Sequence, residues 1–208
     1  MAEQSKKKVA VVTGASRGIF MEHAAPEGSG AMSAVLGMDA SVIENVLNGR
    51  EGVSIANYNC PGQIVITGEA AAVAEAGTAL KEAGARRVLP LKVSGPFHSP
   101  MMRPAGEELA KVFAGVSMNP LKVPYVANIN AEVITDCGRI EGLLVDQVSG
   151  SVHWQQSVET MLRESVDTFV EIGPGKTLTG FLRKIDKNVK AYHIGSWEEA
   201  VQVCEELK

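Results

Sequence analysis

The chain has 208 residues and a mass of 22.0 kDa, enough for one large domain or two small ones with a real hydrophobic core. Its 45% hydrophobic and 21% charged residues exclude a disordered chain, and a net charge of −4 with a pI near 5.6 gives no polyanion-binding signature, so nucleic acid is not an expected partner. No apolar stretch reaches the about 18 residues of a membrane span, the apolar run after Lys6-Lys7-Lys8 is too short for a secretory leader, and Cys60, Cys137 and Cys204 are too scattered for a disulfide scaffold or a zinc site, which leaves a reducing cytoplasm and no membrane as the expectation.

In chain order, residues 7–12 read as a strand running into Gly14-Ala15-Ser16-Arg17-Gly18. Residues 31–36 form a short apolar strand candidate among Gly28, Gly30 and Gly37. Asp39 then stands as an N-cap, and Val42, Ile43, Val46 and Leu47 share one helical face before Asn48-Gly49. Residues 53–59 and 63–67 are β-prone runs joined by Cys60-Pro61-Gly62, a hairpin pattern. A second helix is expected over residues 70–83, with Val73, Ala76, Leu80 and Ala83 on one stripe and Gly84 as its stop. Residues 86–93 supply a last strand, and the order β-α-β-β-α-β is that of a ferredoxin-like unit. Beyond it, Pro104 opens a helix continued by Ala105, Leu109, Val112 and Phe113. Residues 124–127 read as a strand, and 140–148 and 154–166 as helices. Thr168–Ile172 is a strand ending in Gly173-Pro174-Gly175, followed by a helix with Leu178, Phe181, Leu182 and Ile185 inward. Residues 189–194 form the final strand, and Ser196 with Glu199 makes a capping box for the last helix. Strand–helix alternation predicts a largely parallel sheet in this part, with strand 7–12 pairing beside one of its C-terminal strands.

Four local features carry possible chemistry. In Ser94-Gly95-Pro96-Phe97-His98-Ser99 the chain bends after a strand and presents His98 at its carboxyl end, where a histidine can take a proton from a hydroxyl and return it. His153 and His193 lack such a setting and read as structural. Ser16 fits G-x-S-x-G, a strand-to-helix turn that lifts a serine hydroxyl, and the same stretch also fits the start of a dinucleotide loop or a plain turn. Gly173-Pro174-Gly175-Lys176 offers backbone N–H groups to a phosphate, but only Gly175-Lys176-Thr177 of the phosphate-loop pattern is present, so a tight connection is expected. Asn57-Tyr58-Asn59 with Gln63 sets side-chain amides around the hairpin, as turn formers or ligand donors.

Taken together, Arg17-Gly18-Ile19-Phe20-Met21, Pro26-Glu27-Gly28-Ser29-Gly30-Ala31-Met32, Ala56-Asn57-Tyr58-Asn59-Cys60-Pro61-Gly62-Gln63, the run Val93 to His98, Val126-Ala127-Asn128 and the run Glu171 to Gly180 occur in the order of one family. From Arg17 onward the chain resembles the malonyl-CoA:acyl carrier protein transacylases of fatty-acid synthesis. The resemblance implies an α/β fold: a partial α/β-hydrolase-like large domain with a ferredoxin-like βαββαβ small domain. The domains expected are residues 1–26 as a reductase-like strand and junction helix within the large domain, 27–93 as the small domain, and 94–208 as the rest of the large domain. The resemblance implies malonyl-CoA and acyl carrier protein as partners and no cofactor or metal. His98 matches the histidine that activates a nucleophilic serine, and Gln147 the position whose backbone carbonyl orients that histidine. Arg17 matches the arginine that pairs with the malonyl carboxylate, a bidentate match of guanidinium to carboxylate. Asn128 matches an active-site asparagine.

The family pattern also has a G-Q-G-x-Q segment for the oxyanion hole and a G-H-S-x-G elbow for the nucleophile, and neither string occurs in this sequence. Residues 9–19 instead resemble the opening of the short-chain ketoacyl-carrier-protein reductases, as though two genes had been joined near Arg17. Ser16 is the substitute nucleophile at hand, but it is adjacent to Arg17, about 3.8 Å away between Cα atoms. Malonyl transfer by a Ser–His route is therefore expected to be impaired. The alternative is a non-catalytic remnant that binds acyl carrier protein or acyl-CoA. A nucleotide-dependent reductase is disfavoured, because Phe20 replaces the last glycine of that loop and no Tyr-x-x-x-Lys string exists.

Overall fold

The computed structural model describes residues 9–13, 28, 30–93 and 95–207. In chain order the elements are β1 (Val9–Thr13), β2 (Gly30–Leu36), α1 (Ala40–Leu47), β3 (Val53–Cys60), β4 (Gln63–Glu69), α2 (Ala70–Glu82) and β5 (Arg87–Pro90). A 3-10 turn (Pro100–Met102), α3 (Arg103–Phe113), β6 (Tyr125–Val126), β7 (Val133–Ile134), a second 3-10 turn (Cys137–Arg139) and α4 (Ile140–Ser149) follow. The chain ends with α5 (Trp154–Arg163), β8 (Thr168–Ile172), α6 (Thr177–Ile185), β9 (Lys190–Ile194) and α7 (Trp197–Glu206). Two compact units result: residues 17–157 form one, and residues 1–16 with 158–208 the other.

The larger unit is built on a four-stranded antiparallel sheet of order β3-β4-β2-β5. Alternation sends Val35, Ile55, Ile64 and Ile66 to one face, where Ile43 and Leu47 of α1 and Val73, Ala76 and Leu80 of α2 close a core. Ile43, Ile66 and Leu80 are completely buried, so each Leu or Ile to Ala change there costs about 2–5 kcal/mol. The hairpin β3–β4 turns on Pro61-Gly62, with proline presetting φ at the first corner and Gly62 taking φ +72° at the second. Asp39 occupies the N-cap of α1, but its side chain makes no capping hydrogen bond there. The strand expected over residues 86–93 is shorter: β5 lies on the sheet edge and ends at Pro90, whose missing N–H falls on the edge, with one more bond beyond it from the Leu91 N–H to the Met32 carbonyl at 2.9 Å.

The opposite face of this sheet packs against α3 and α4 through Met32, Ala34, Ala56, Val65, Phe97, Met102, Ala105 and Val148. Val112, read as part of the α3 helix pattern, is 51% exposed. A two-stranded antiparallel ladder, β6 with β7, replaces the single strand expected at residues 124–127. It closes through Ala131 at φ +56°.

The smaller unit holds a parallel three-stranded sheet of order β1-β8-β9. β1 pairs beside β8, the C-terminal neighbour that the sequence pattern allows. β8 is buried along most of its length, as a central parallel strand must be. Its Glu171, only 3% exposed, accepts the Leu178 N–H (3.1 Å), the Thr179 N–H (2.7 Å) and the Thr179 hydroxyl (2.6 Å), capping the start of α6. Ser196 caps α7 by accepting the Glu199 N–H at 3.2 Å, while the Glu199 carboxylate takes the Gly195 N–H at 2.6 Å.

Candidate active site

The loop after β5 is held by close packing. Pro96 is buried against Gly30, where a Cβ would stand 2.3 Å from the proline Cγ, so only glycine admits the ring. Phe97 enters the core beside Met102 and Ala105, and the buried Ser99 hydroxyl donates to the Pro96 carbonyl at 2.6 Å. His98 therefore sits between two anchored neighbours, in the left-handed region at φ +58°. A non-glycine residue pays about 1–3 kcal/mol for that conformation, which persists only where its surroundings impose it.

The imidazole Nδ1 lies 3.0 Å from the Gln147 carbonyl oxygen. A carbonyl only accepts, so Nδ1 carries the proton and Nε2 keeps its lone pair in the neutral ring. Burial lowers the His98 pKa below its ordinary value, while the Gln147 and Gly150 carbonyls favour the charged form and offset part of that shift. The result is a neutral base with a defined tautomer near pH 7.

Gln147 stands in the last turn of α4. A continuing helix would close its carbonyl on the Ser151 N–H, but the chain leaves at Gly150, which is extended at φ −106° and ψ 161°. The carbonyl is thereby available to His98. The Gln147 side-chain Nε2 donates to the Gly150 carbonyl at 3.1 Å and more weakly to that of Ser151 at 3.4 Å.

From there the segment 150–153 runs along the outer edge of β3. The β3–β4 register skips Ala56, a bulge, and the Ala56 carbonyl accepts the Val152 N–H at 2.7 Å. The Tyr58 N–H donates to Val152 at 2.9 Å, and the Ser151 hydroxyl to Ile55 at 2.6 Å. The His153 ring stacks on Tyr58 with centroids 4.9 Å apart, and the Tyr58 hydroxyl donates to Glu44 at 2.8 Å. Burial and the Glu44 carboxylate both push the Tyr58 pKa up.

Of the residues predicted for the site, the structure brings His98 and Gln147 together. Asn128 lies in the exposed turn after β6, and its carbonyl accepts the His153 N–H at 2.8 Å. Ser16 and Arg17 lie outside the described residues. The Gly173-Pro174-Gly175 turn is tied to β9, with the Gly173 N–H donating to Ile194 at 3.0 Å and His193 Nε2 lying 2.9 Å from the Gly173 carbonyl. Glu171 already takes the Leu178 and Thr179 N–H groups of α6, the donors a phosphate would use. An open groove of about 520 Å³ beside α1 and β3 is lined by Glu44, Asn48, Ser54, Tyr58 and Ser151 but not by His98. Among the described residues no group of His, Cys, Asp and Glu could hold a metal ion, and no helix is long and apolar enough to cross a membrane. The segment 150–153 escaped the sequence reading, because Gly150-Ser151-Val152-His153 carries no strand pattern.

Comparison with known proteins bears on this arrangement. The malonyl CoA-acyl carrier protein transacylase of Bacillus subtilis (strain 168) is 42% identical over 205 residues, covering 97% of this chain and 65% of that protein. The transacylase of the same name from Escherichia coli (strain K12) is 45% identical over 172 residues, covering 81% of this chain and 56% of that one. The crystal structure of malonyl CoA-acyl carrier protein transacylase from Clostridium perfringens superposes with a TM-score of 0.85 at 39% identity, over 90% of this chain and 60% of that one. The chain thus spans less than two thirds of the length of each of these relatives. The acyl transferase domain family matches residues 5–203, a stretch that includes the β1 segment read as reductase-like. A match of that extent, together with the mixed α/β fold shared with the solved transacylase, makes this chain a member of the acyl transferase domain family.

Proposed function

We propose that the chain transfers a malonyl group from malonyl-CoA to the phosphopantetheine thiol of acyl carrier protein, with His98 as the general base. The observation that carries the reading is the His98 Nδ1–H donated to the Gln147 carbonyl, which leaves Nε2 free to take a proton. In the first half, Nε2 takes the proton of a serine hydroxyl as its oxygen attacks the malonyl thioester carbonyl. The thioester C–S bond then breaks, and the CoA thiolate leaves with that proton. In the second half, the phosphopantetheine thiol gives its proton to Nε2 and attacks the malonyl ester, and the serine oxygen recovers the proton as it leaves. Arg17 holds the malonyl carboxylate bidentately, which disfavours an acetyl group by leaving a cation unpaired. Asn128 is assigned to substrate binding, and no cofactor or metal is required.

Ser16 is the nucleophile assigned within this sequence, and its adjacency to Arg17 makes transfer slow, since one turn has to serve both roles. The second reading is a remnant that binds acyl carrier protein or acyl-CoA without turnover. The reductase reading of residues 9–19 is disfavoured by Phe20 and by the lack of a Tyr-x-x-x-Lys string. The small domain, residues 27–93, is read as ferredoxin-like, supported by its strand order β3-β4-β2-β5. Residues 1–26 and 94–208 are read as parts of an α/β-hydrolase-like large domain, and the setting as cytoplasmic.

The test is single-turnover labelling with radioactive malonyl-CoA, run beside Ser16→Ala and His98→Ala. A covalent malonyl adduct on the chain, lost in both variants, is expected. No adduct at any protein concentration refutes transfer, and retention of acyl carrier protein on the immobilised chain would then favour the binding reading.

A further inference from the structure

We infer that the Gln147 side chain is a positioning group for His98: its amide pins the chain leaving α4, so that the Gln147 carbonyl stays open to the imidazole. The inference deepens the reading of His98 as base and rests on it for its functional meaning.

Many helices close their last carbonyls through a left-handed glycine, whose N–H and the next one fold back. Gly150 is extended instead, so α4 lacks that closure. The Gln147 Nε2 supplies a substitute, donating to the Gly150 and Ser151 carbonyls and drawing the exit segment into an extended path. That path leads onto β3, where Ser151 and Val152 are fixed by three further hydrogen bonds to Ile55, Ala56 and Tyr58. If the exit segment relaxed into another helical turn, the Ser151 N–H would bond the Gln147 carbonyl, the acceptor His98 uses.

The amide's own state points the same way. Its Oε1 is buried without a hydrogen-bond partner, a cost that an unpinned side chain would escape by rotating. The reverse orientation would set Oε1 against two carbonyl oxygens. Donation to the exit segment therefore determines the side chain's position. Gln147→Met removes the donor and the unpartnered acceptor together at nearly constant volume, the kind of change a fold tolerates well. Gln147→Lys restores a donor able to reach both carbonyls.

The experiment follows the ring nitrogens of the four histidines by nitrogen-15 NMR near neutral pH, with His98→Ala assigning the His98 signals. The unsubstituted chain is expected to show a single His98 tautomer protonated at Nδ1, and slowly exchanging Gln147 side-chain amide protons. In Gln147→Met the His98 Nδ1–H signal is lost and two tautomers mix, while a cooperative thermal melt and unchanged His193 signals serve as folding controls; Gln147→Lys keeps the single tautomer. An unchanged tautomer in Gln147→Met overturns the inference, as does loss in Met and Lys alike, which would assign the effect to side-chain shape. Should the Met variant not fold, bulk-rate exchange of the Gln147 amide in the unsubstituted chain overturns it, and slow exchange supports it. Failure of malonyl labelling in every form refutes the transfer reading and leaves this result standing.

Discussion

Gly30→Ala is the sharpest perturbation of the His98 loop that avoids its polar groups. The new Cβ would lie 2.3 Å from Pro96 Cγ and 2.5 Å from both Cβ and Cδ of the same ring. Ordinary contact begins near 3.4 Å, so a separation of about 1 Å has to be found. The proline ring is rigid and fully buried, and Phe97 behind it is locked in the core, so the loop moves as a piece. A shift of about 1 Å at His98 stretches its 3.0 Å bond to Gln147 to about 4 Å, beyond hydrogen-bonding range. Overpacking of this kind costs about 1–3 kcal/mol, which at about 2–4 °C per kcal/mol lowers the melting temperature by about 2–12 °C. Circular dichroism melting measures the first effect, and the His98 tautomer by NMR the second. A variant that melts like the parent and keeps its His98 Nδ1–H bond would refute the claim that Gly30 sets the loop's position.

Three further outcomes follow from the same geometry. His98 has its folded-state pKa below the unfolded value of about 6.5, so the unfolded chain binds more protons between the two values, and stability falls as pH drops through that window. His98→Asn, which tolerates positive φ, should flatten that decline in urea titrations and leave the profile above pH 6.5 unchanged; a parallel decline in both proteins would contradict the assignment. Glu171→Gln keeps one acceptor but turns an amide N–H₂ toward the donors at the start of α6, and should destabilise by about 1–3 kcal/mol in denaturant melts, with an unaltered midpoint as the contrary result. Tyr58→Phe removes only the hydroxyl bond to Glu44 and should cost about 0.5–1.5 kcal/mol while the stack on His153 remains; in the parent, ultraviolet titration should find Tyr58 ionising above the usual tyrosine value of about 10, and ionisation at that value would refute the effect of burial and Glu44.

The legible part of this protein was its short-range grammar. Pro61-Gly62 announced the hairpin because one residue presets φ and the other tolerates its reversal. Ser196 with Glu199 announced the start of α7, since both partners lie within one turn. Gly95-Pro96 marked the loop that presents His98, although nothing local revealed that Gly30 makes room for it. Glu171 was passed over, because a carboxylate inside a strand ordinarily faces water; here the first N–H groups of α6 satisfy it. β7 was missed for a simpler reason, being two residues with no period to detect. Gln147 came from resemblance alone, as no pattern within α4 distinguishes it from any exposed helical glutamine.

The sequence by itself determined the order of all the strands and helices but β7, the β3–β4 turn, the cap of α7 and the candidacy of His98, because these depend on residues within a few positions of one another. Tertiary structure alone decided which nitrogen of His98 is free. That choice depends on a carbonyl 49 residues away in sequence, left open by the end of α4 and held by a segment laid along a bulged strand. Contacts across such separations follow from packing, which no local pattern encodes.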